Sequence, residues 1–131
     1  MKQFFLIVLS LMTCVLFAQD VTFKKGNFKD DKIGFEKAKA NLKSGDLWLE
    51  KVKAKVLAME YAANECLKAL EFYLPAYEFN PFSSDLNRKL GHVYLYTNTP
   101  YKAMPFLKKS LELSGDKPVP FLYFLLGKAY Q

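Results

Sequence analysis

Two strings decide how this chain is read: residues 69–81, ALEFYLPAYEFNP, and residues 90–94, LGHVY. Both are answered further along. Ala69, Tyr73, Ala76 and Pro81 are followed 34 positions later by Ala103, Leu107, Ser110 and Gly115. Leu90, Gly91 and Tyr94 return after 36 residues as Leu126, Gly127 and Tyr130, with the two extra residues in the Pro-containing loop 117–120. A period of roughly 20 to 50 residues marks stacked supersecondary units, each too small to bury its own apolar face.

Working outward, helical spacing dominates. From Asp30 onward, Ile33, Phe35, Ala38 and Leu42 recur at threes and fours among lysines. Ser44-Gly45-Asp46 is an interruption signal. Asp46 is suited to cap the next helix, or else the helix runs on through Gly45 with a kink. Residues 47–79 contain no glycine, and Pro75 is their only proline. A single helix of that length would extend about 50 Å, so a tight turn is expected near Ala62-Ala63-Asn64, giving helices over 47–61 and 65–78. Asn80-Pro81 closes the second, because proline lacks the N–H that continuation needs and disfavours helix in the residue before it. Ser83 or Ser84 then caps a helix over 85–96, with Leu86, Leu90, Val93 and Tyr94 inward. Gly91 in mid-helix costs about 1 kcal/mol relative to alanine, which implies close approach by a neighbouring helix. Thr99-Pro100 starts the next helix, with threonine as N-cap, proline first, and closure at Ser114-Gly115. Pro120 opens FLYFLLGKAYQ, apolar nearly all round, which must be covered on both sides; the expectation is a longer protein or a partner over this end.

Composition bounds the class. The 131 residues are 51% hydrophobic and 16% aromatic, which excludes a disordered acidic chain and matches one packed domain. Residues 1–18 differ in kind: Lys2, an apolar run over 4–17 and Ala18 before Gln19-Asp20 read as a secretory signal peptide cut after Ala18. The alternatives are a lipoprotein signal acylated at Cys14 and an uncleaved anchor. Cleavage leaves 18 basic and 13 acidic residues, a net charge of +5. The lysines are dispersed and not gathered on one phosphate-tracking face, so no nucleic-acid partner is expected. Cys66 would be the only thiol, so packing and not a disulfide must hold the mature fold.

With Leu90-Gly91, Tyr94, Ala103 and Leu107 in register behind Ala69, Tyr73, Ala76 and Pro81, the chain resembles a tetratricopeptide repeat protein. It departs from the pattern at Asn87 (tryptophan position), Leu57 (glycine position) and Gly115 (proline position), and Pro75 and Pro105 fall inside expected helices. The strings GFEKAKANLKSGD, ALEFYLPAYEFNPFSSDLNRKLGHVYL, YKAMPFLKKSLEL and FLYFLLGKAYQ are more narrowly similar to the N-terminal repeat region of OmpA-family envelope proteins of Bacteroidetes, associated with gliding motility and type IX secretion. The resemblance implies an all-α fold: a right-handed superhelical stack of antiparallel helix pairs, preceded by the signal peptide (1–18) and a lead-in (19–29). The repeats would fill 30–131, at about 50–83, 84–117 and a truncated 120–131. It also implies a periplasmic or outer-membrane-associated protein with no membrane span in the mature chain.

Chemistry is sparse. His92 is the only histidine, which excludes paired-histidine zinc motifs. Cys66 lies among Leu67, Leu70 and Tyr73 with no visible base, and Asp30, Asp31, Glu60 and Glu65 read as helix-end or solvent carboxylates. No catalytic residue, cofactor or metal is expected. An enzyme built on Cys66 or His92 is the remote alternative. In the resembled family, fixed positions of each first helix line a concave groove. Here these are Lys51, Tyr61, Asp85, Arg88, His92, Tyr96, Phe124 and Lys128. Arg88, His92 and Tyr96 fall at i, i+4 and i+8, a single stripe. The competing reading pairs Arg88 with a surface acid and packs Tyr96 as core. The expected function is a non-catalytic scaffold that holds another envelope protein, a peptide segment or its own downstream domains. The alternative is a docking or oligomerisation element with no ligand of its own.

Overall fold

The computed structural model describes residues 19–131, and among them every regular element is helical. The leader, the Cys14 acylation alternative and the cut after Ala18 lie outside the described residues. Five α-helices follow a short 3-10 turn at Lys25–Asn27: α1 Lys32–Leu57, α2 Ala63–Phe79, α3 Ser84–Tyr94, α4 Ala103–Ser114 and α5 Pro120–Ala129. α1 packs mainly on α2, and α3 on α4, while α2–α3 and α4–α5 contacts join these pairs into one core. None of the described helices is long and apolar enough to cross a membrane.

α1 starts where Asp31 caps it, its carboxylate accepting from the Gly34 N–H at 2.8 Å. It then runs on through Ser44-Gly45-Asp46, so of the two readings of that stretch the continuation holds and the interruption does not. Gly45 is a contact and not a break: a Cβ on it would lie 2.4 Å from the Tyr73 ring. Asp46 caps nothing. It accepts from the Tyr73 hydroxyl at 2.7 Å and pairs with Lys89 at 2.9 Å, linking α1 to both α2 and α3.

The turn between α1 and α2 comes earlier than Ala62-Ala63-Asn64, at residues 58–62. It is a Schellman motif: Glu60 N–H donates to Lys55 O at 2.8 Å and Met59 N–H to Val56 O at 3.1 Å. Met59 adopts φ 57°, the left-handed conformation that glycine ordinarily supplies there, and its side chain is 97% exposed. A Met59→Gly substitution is therefore expected to stabilise the fold by about 1 kcal/mol, the cost of left-handed backbone in an L-residue, read as a raised midpoint in urea unfolding. Lys55 and Glu65 clasp the turn at 3.0 Å.

Asn80 ends α2 as expected and also ties down the lead-in. Its amide donates to Val21 O at 2.7 Å, Val21 N–H donates to Phe82 O at 2.8 Å, and Ser84 N–H donates to Asp20 Oδ1 at 2.8 Å. Phe23 and Phe28 close against Phe79, and Phe28 also stacks on Phe35. Pro75 and Pro105 do sit within helices, but both are exposed, so the missing N–H faces solvent and not the core.

Ser83 caps α3, accepting from Leu86 N–H at 3.2 Å, and the helix ends at Tyr94, two residues before the expected boundary. Thr99 does not cap α4. It precedes a 3-10 turn at Pro100–Lys102, and the Thr97 hydroxyl takes the local N–H, that of Thr99, at 3.1 Å. Gly91 behaves as expected: a Cβ there would lie 2.3 Å from Leu107 Cδ2 and 3.3 Å from Ala103 O, so the α3–α4 crossing needs its bare backbone. At the N-terminal end of α3, Ser84 and Ser110 exchange hydroxyl-to-carbonyl bonds at 3.0 and 2.9 Å. Phe106 stacks on Tyr94 and meets Tyr77 edge-on, bridging α2, α3 and α4.

Candidate functional site

Among the described residues, one open groove collects aromatic, aliphatic and cationic side chains from three helices. Lys53, Val56 and Leu57 come from α1, Arg88 and His92 from α3, Tyr96 from the turn after it, and Phe121, Phe124 and Lys128 from α5. Its volume is about 540 Å³. The spacing explains the convergence. Residues 53, 56 and 57 share one face of α1, 88 and 92 are one turn apart on α3, and 121, 124 and 128 form one stripe on α5.

His92 is at the centre. Its ring lies 5.2 Å from Phe121 and 5.8 Å from Tyr96, and Phe121 stacks on Phe124 at 5.6 Å. The residue is 5% exposed, and its Nδ1 is buried without a hydrogen-bond partner. Burial, then the positive charges of Lys53, Arg88 and Lys128, pull its pKa down to about 4 against a weaker opposing effect of Glu50, so the ring is neutral at physiological pH. Lys128 Nζ donates to the Tyr96 hydroxyl at 3.1 Å and lies 5.1 Å from the Tyr96 ring centre and 5.7 Å from that of Phe124.

The other two cations are spoken for. Lys53 pairs with Glu50 at 2.6 Å and Arg88 with Asp85 at 2.5 Å. Lys128 makes no ion pair with any described carboxylate, which leaves it the groove's one uncompensated cation there.

Of the eight residues expected to line a groove, the fold gathers Arg88, His92, Tyr96, Phe124 and Lys128. Three are elsewhere. Lys51 lies over the Trp48 ring at 3.8 Å, and α1 contributes Lys53 to the groove in its place. Tyr61 is beyond the end of α1, 72% exposed and hydrogen-bonded to Asn98. Asp85 neutralises Arg88 and Lys89 instead of facing the groove. Burial opposes its charge, but hydrogen bonds from Lys89 and Arg88 outweigh that and hold its pKa below the usual value. The competing reading of Arg88 as a partner for a nearby acid is thus also met, since the guanidinium does both. Lys53, Val56, Leu57 and Phe121 were missed. Phe121 was within reach, because it shares a helical stripe with Phe124 and Lys128.

Cys66 is fully buried, and burial, aided by the Glu65 charge, pushes its thiol up to about 11, away from the thiolate a nucleophile needs. Comparison with family models, curated proteins and solved structures finds no match for this chain.

Proposed function

We propose that this chain is a non-catalytic tetratricopeptide-like module of the bacterial cell envelope that holds a segment of another protein in the groove between α1, α3 and α5. The observation that carries the reading is the convergence of Arg88, His92, Tyr96, Phe121, Phe124 and Lys128 on one groove of about 540 Å³. Such a surface combines rigid aromatic area, which loses little conformational entropy on binding, with arginine and lysine for charge-assisted hydrogen bonds. Turnover is not expected of it. The spacing of Gly91 and Gly127 supports a solenoid-like stack, and the leader motif supports export to the periplasm or outer membrane.

The test is affinity capture from envelope extracts by residues 19–131, wild type against the Arg88→Ala/Tyr96→Ala double variant. Loss of an anchor pair typically costs about 2 kcal/mol or more, so capture is expected to fall at least roughly tenfold with helical circular dichroism unchanged. Undiminished capture would remove the groove from the account.

A second reading, a docking or self-association element, is favoured by the outer face of α5. Tyr123, Leu126, Gly127 and Tyr130 stand 36 residues after Asn87, Leu90, Gly91 and Tyr94. The four α3 residues are buried, whereas Tyr123 and Tyr130 are 55% and 70% exposed and Gly127 meets nothing within 4 Å. Sedimentation of residues 19–131 over a range of concentrations tests it. Self-association lost in a Tyr123→Ser/Tyr130→Ser variant is expected under this reading, and a clean monomer at every concentration counts against it.

A further inference from the structure

Two seams in this fold are closed by one device. On α1, Gly45 leaves a notch that the Tyr73 ring of α2 fills; on α3, Gly91 leaves one for Leu107 of α4. In both, the entering side chain has an alanine four residues before it and a small residue three after it: Ala69-Tyr73-Ala76 on α2 and Ala103-Leu107-Ser110 on α4, all six buried. The small residues one turn to either side let the backbones approach, and the large one between them enters the glycine notch.

α5 presents the receiving half of this device with nothing in it. Its inner face packs on α4 and the core through Leu122 and Leu125. On its outer face Gly127 meets nothing within 4 Å, and Tyr123 and Tyr130, four before and three after it, stand exposed on the same stripe. No charge lies on that stripe, since Lys128 turns to the Tyr96 hydroxyl at 3.1 Å. A second copy of the chain offers nothing that fits. Among the described residues its stripes of small-x-x-x-large apolar-x-x-small spacing, Ala38-Leu42-Gly45 and the two above, are already packed inside their own molecule.

We propose, resting on the docking form of the second reading above and not on its self-association form, that the outer face of α5 receives an amphipathic helix of a partner protein. That helix runs antiparallel to α5, and its large apolar side chain enters at Gly127 between two small residues one turn away. The contact continues the α1–α2 and α3–α4 seams, so the partner helix stands to α5 as α4 stands to α3. Selection is by shape and polarity: a bulky or charged residue in place of either small one would meet Tyr123 or Tyr130 and hold the two helices apart.

The test uses an end-blocked peptide of the α4 sequence, residues 102–115, held helical by a lactam between Lys108 and Glu112, both exposed on α4. The backbone amide signals of Gly91 and Gly127 in residues 19–131 report where it lands. The peptide is expected to move the Gly127 signal and to leave that of Gly91 in place. Leu107→Ser in the peptide and Gly127→Leu in the chain are each expected to weaken binding roughly tenfold or more. Position 127 is open, so helical circular dichroism of the chain variant is expected to stay unchanged. Equal binding of the two peptides, or a shift at Gly91 in place of Gly127, overturns the inference. So does a Gly127 signal that moves when the chain alone is concentrated, which would make a second copy the occupant and leave the second reading standing. A Gly127 signal unmoved by the peptide in a clean monomer overturns both.

Discussion

Replacing Tyr73 by alanine is expected to destabilise the fold by about 3 to 5 kcal/mol, the range for removing a large buried ring, and so to remove a large share of the roughly 5 to 15 kcal/mol typical of a domain. Tyr73 is fully buried, and its ring fills the space that Gly45 leaves on α1. Its hydroxyl donates to Asp46, which in turn pairs with Lys89 on α3. Burial, together with the Asp46 hydrogen bond, keeps the phenol protonated well beyond its ordinary range, so this bond persists at any physiological pH. One side chain thus couples α1, α2 and α3. Tyr73→Phe keeps the ring and forfeits only the hydrogen bond to the Asp46 carboxylate, at about 1.5 to 3 kcal/mol. Urea midpoints of the two variants separate the contributions: a Phe variant as damaged as the Ala variant would show that the polar link, and not the packing at Gly45, holds these helices together.

The second large effect is on acid stability. His92 has a folded pKa of about 4 against an ordinary 6.5. Between these values the unfolded chain takes up a proton that the folded chain refuses, so stability falls as pH drops below about 6.5 and levels off below about 4. From pH 7 to pH 5 the expected loss is about 2 kcal/mol. Asp85 and Glu65, whose folded pKa values are lowered, lose their contributions only as pH falls through the carboxylate range, so the upper half of the acid limb belongs to His92. His92→Gln removes the titration and is expected to flatten urea stability between pH 7 and 5. A wild-type curve already flat there, or an unchanged slope in the variant, would contradict a buried neutral His92.

Why some of this was readable in the sequence and some was not follows from where each constraint resides. Gly91 announced a close helix crossing because it interrupts a good helical run without turn-forming neighbours. Gly45 has the same cause, the ring of Tyr73, but Ser44 and Asp46 beside it imitate a turn and hid a contact between residues 28 apart. The turn at Met59 left no trace because its left-handed residue is a methionine, a choice no propensity favours. The resembled family's groove positions pointed to Arg88, His92 and Tyr96, and their helical spacing put them on one stripe. Lys51 and Tyr61 were misplaced because they were assigned from the resembled family's repeat positions, whereas α1 ends at Leu57 and contributes Lys53, Val56 and Leu57 to the groove. Single-helix periodicity was legible, whereas the relative rotation of different helices depends on side chains that meet only after folding.

The central claim is that α3 and α5 present their stripes to the same groove, with His92 between them. Nuclear Overhauser contacts of the single histidine ring in residues 19–131 test this most directly. Cross-peaks from the His92 ring to both Tyr96 and Phe121, whose ring centres lie 5.8 and 5.2 Å away, are the predicted result. A fully helical protein in which the His92 ring shows contacts to Tyr96 but none to Phe121 would mean that α5 does not complete the groove, and would contradict the account.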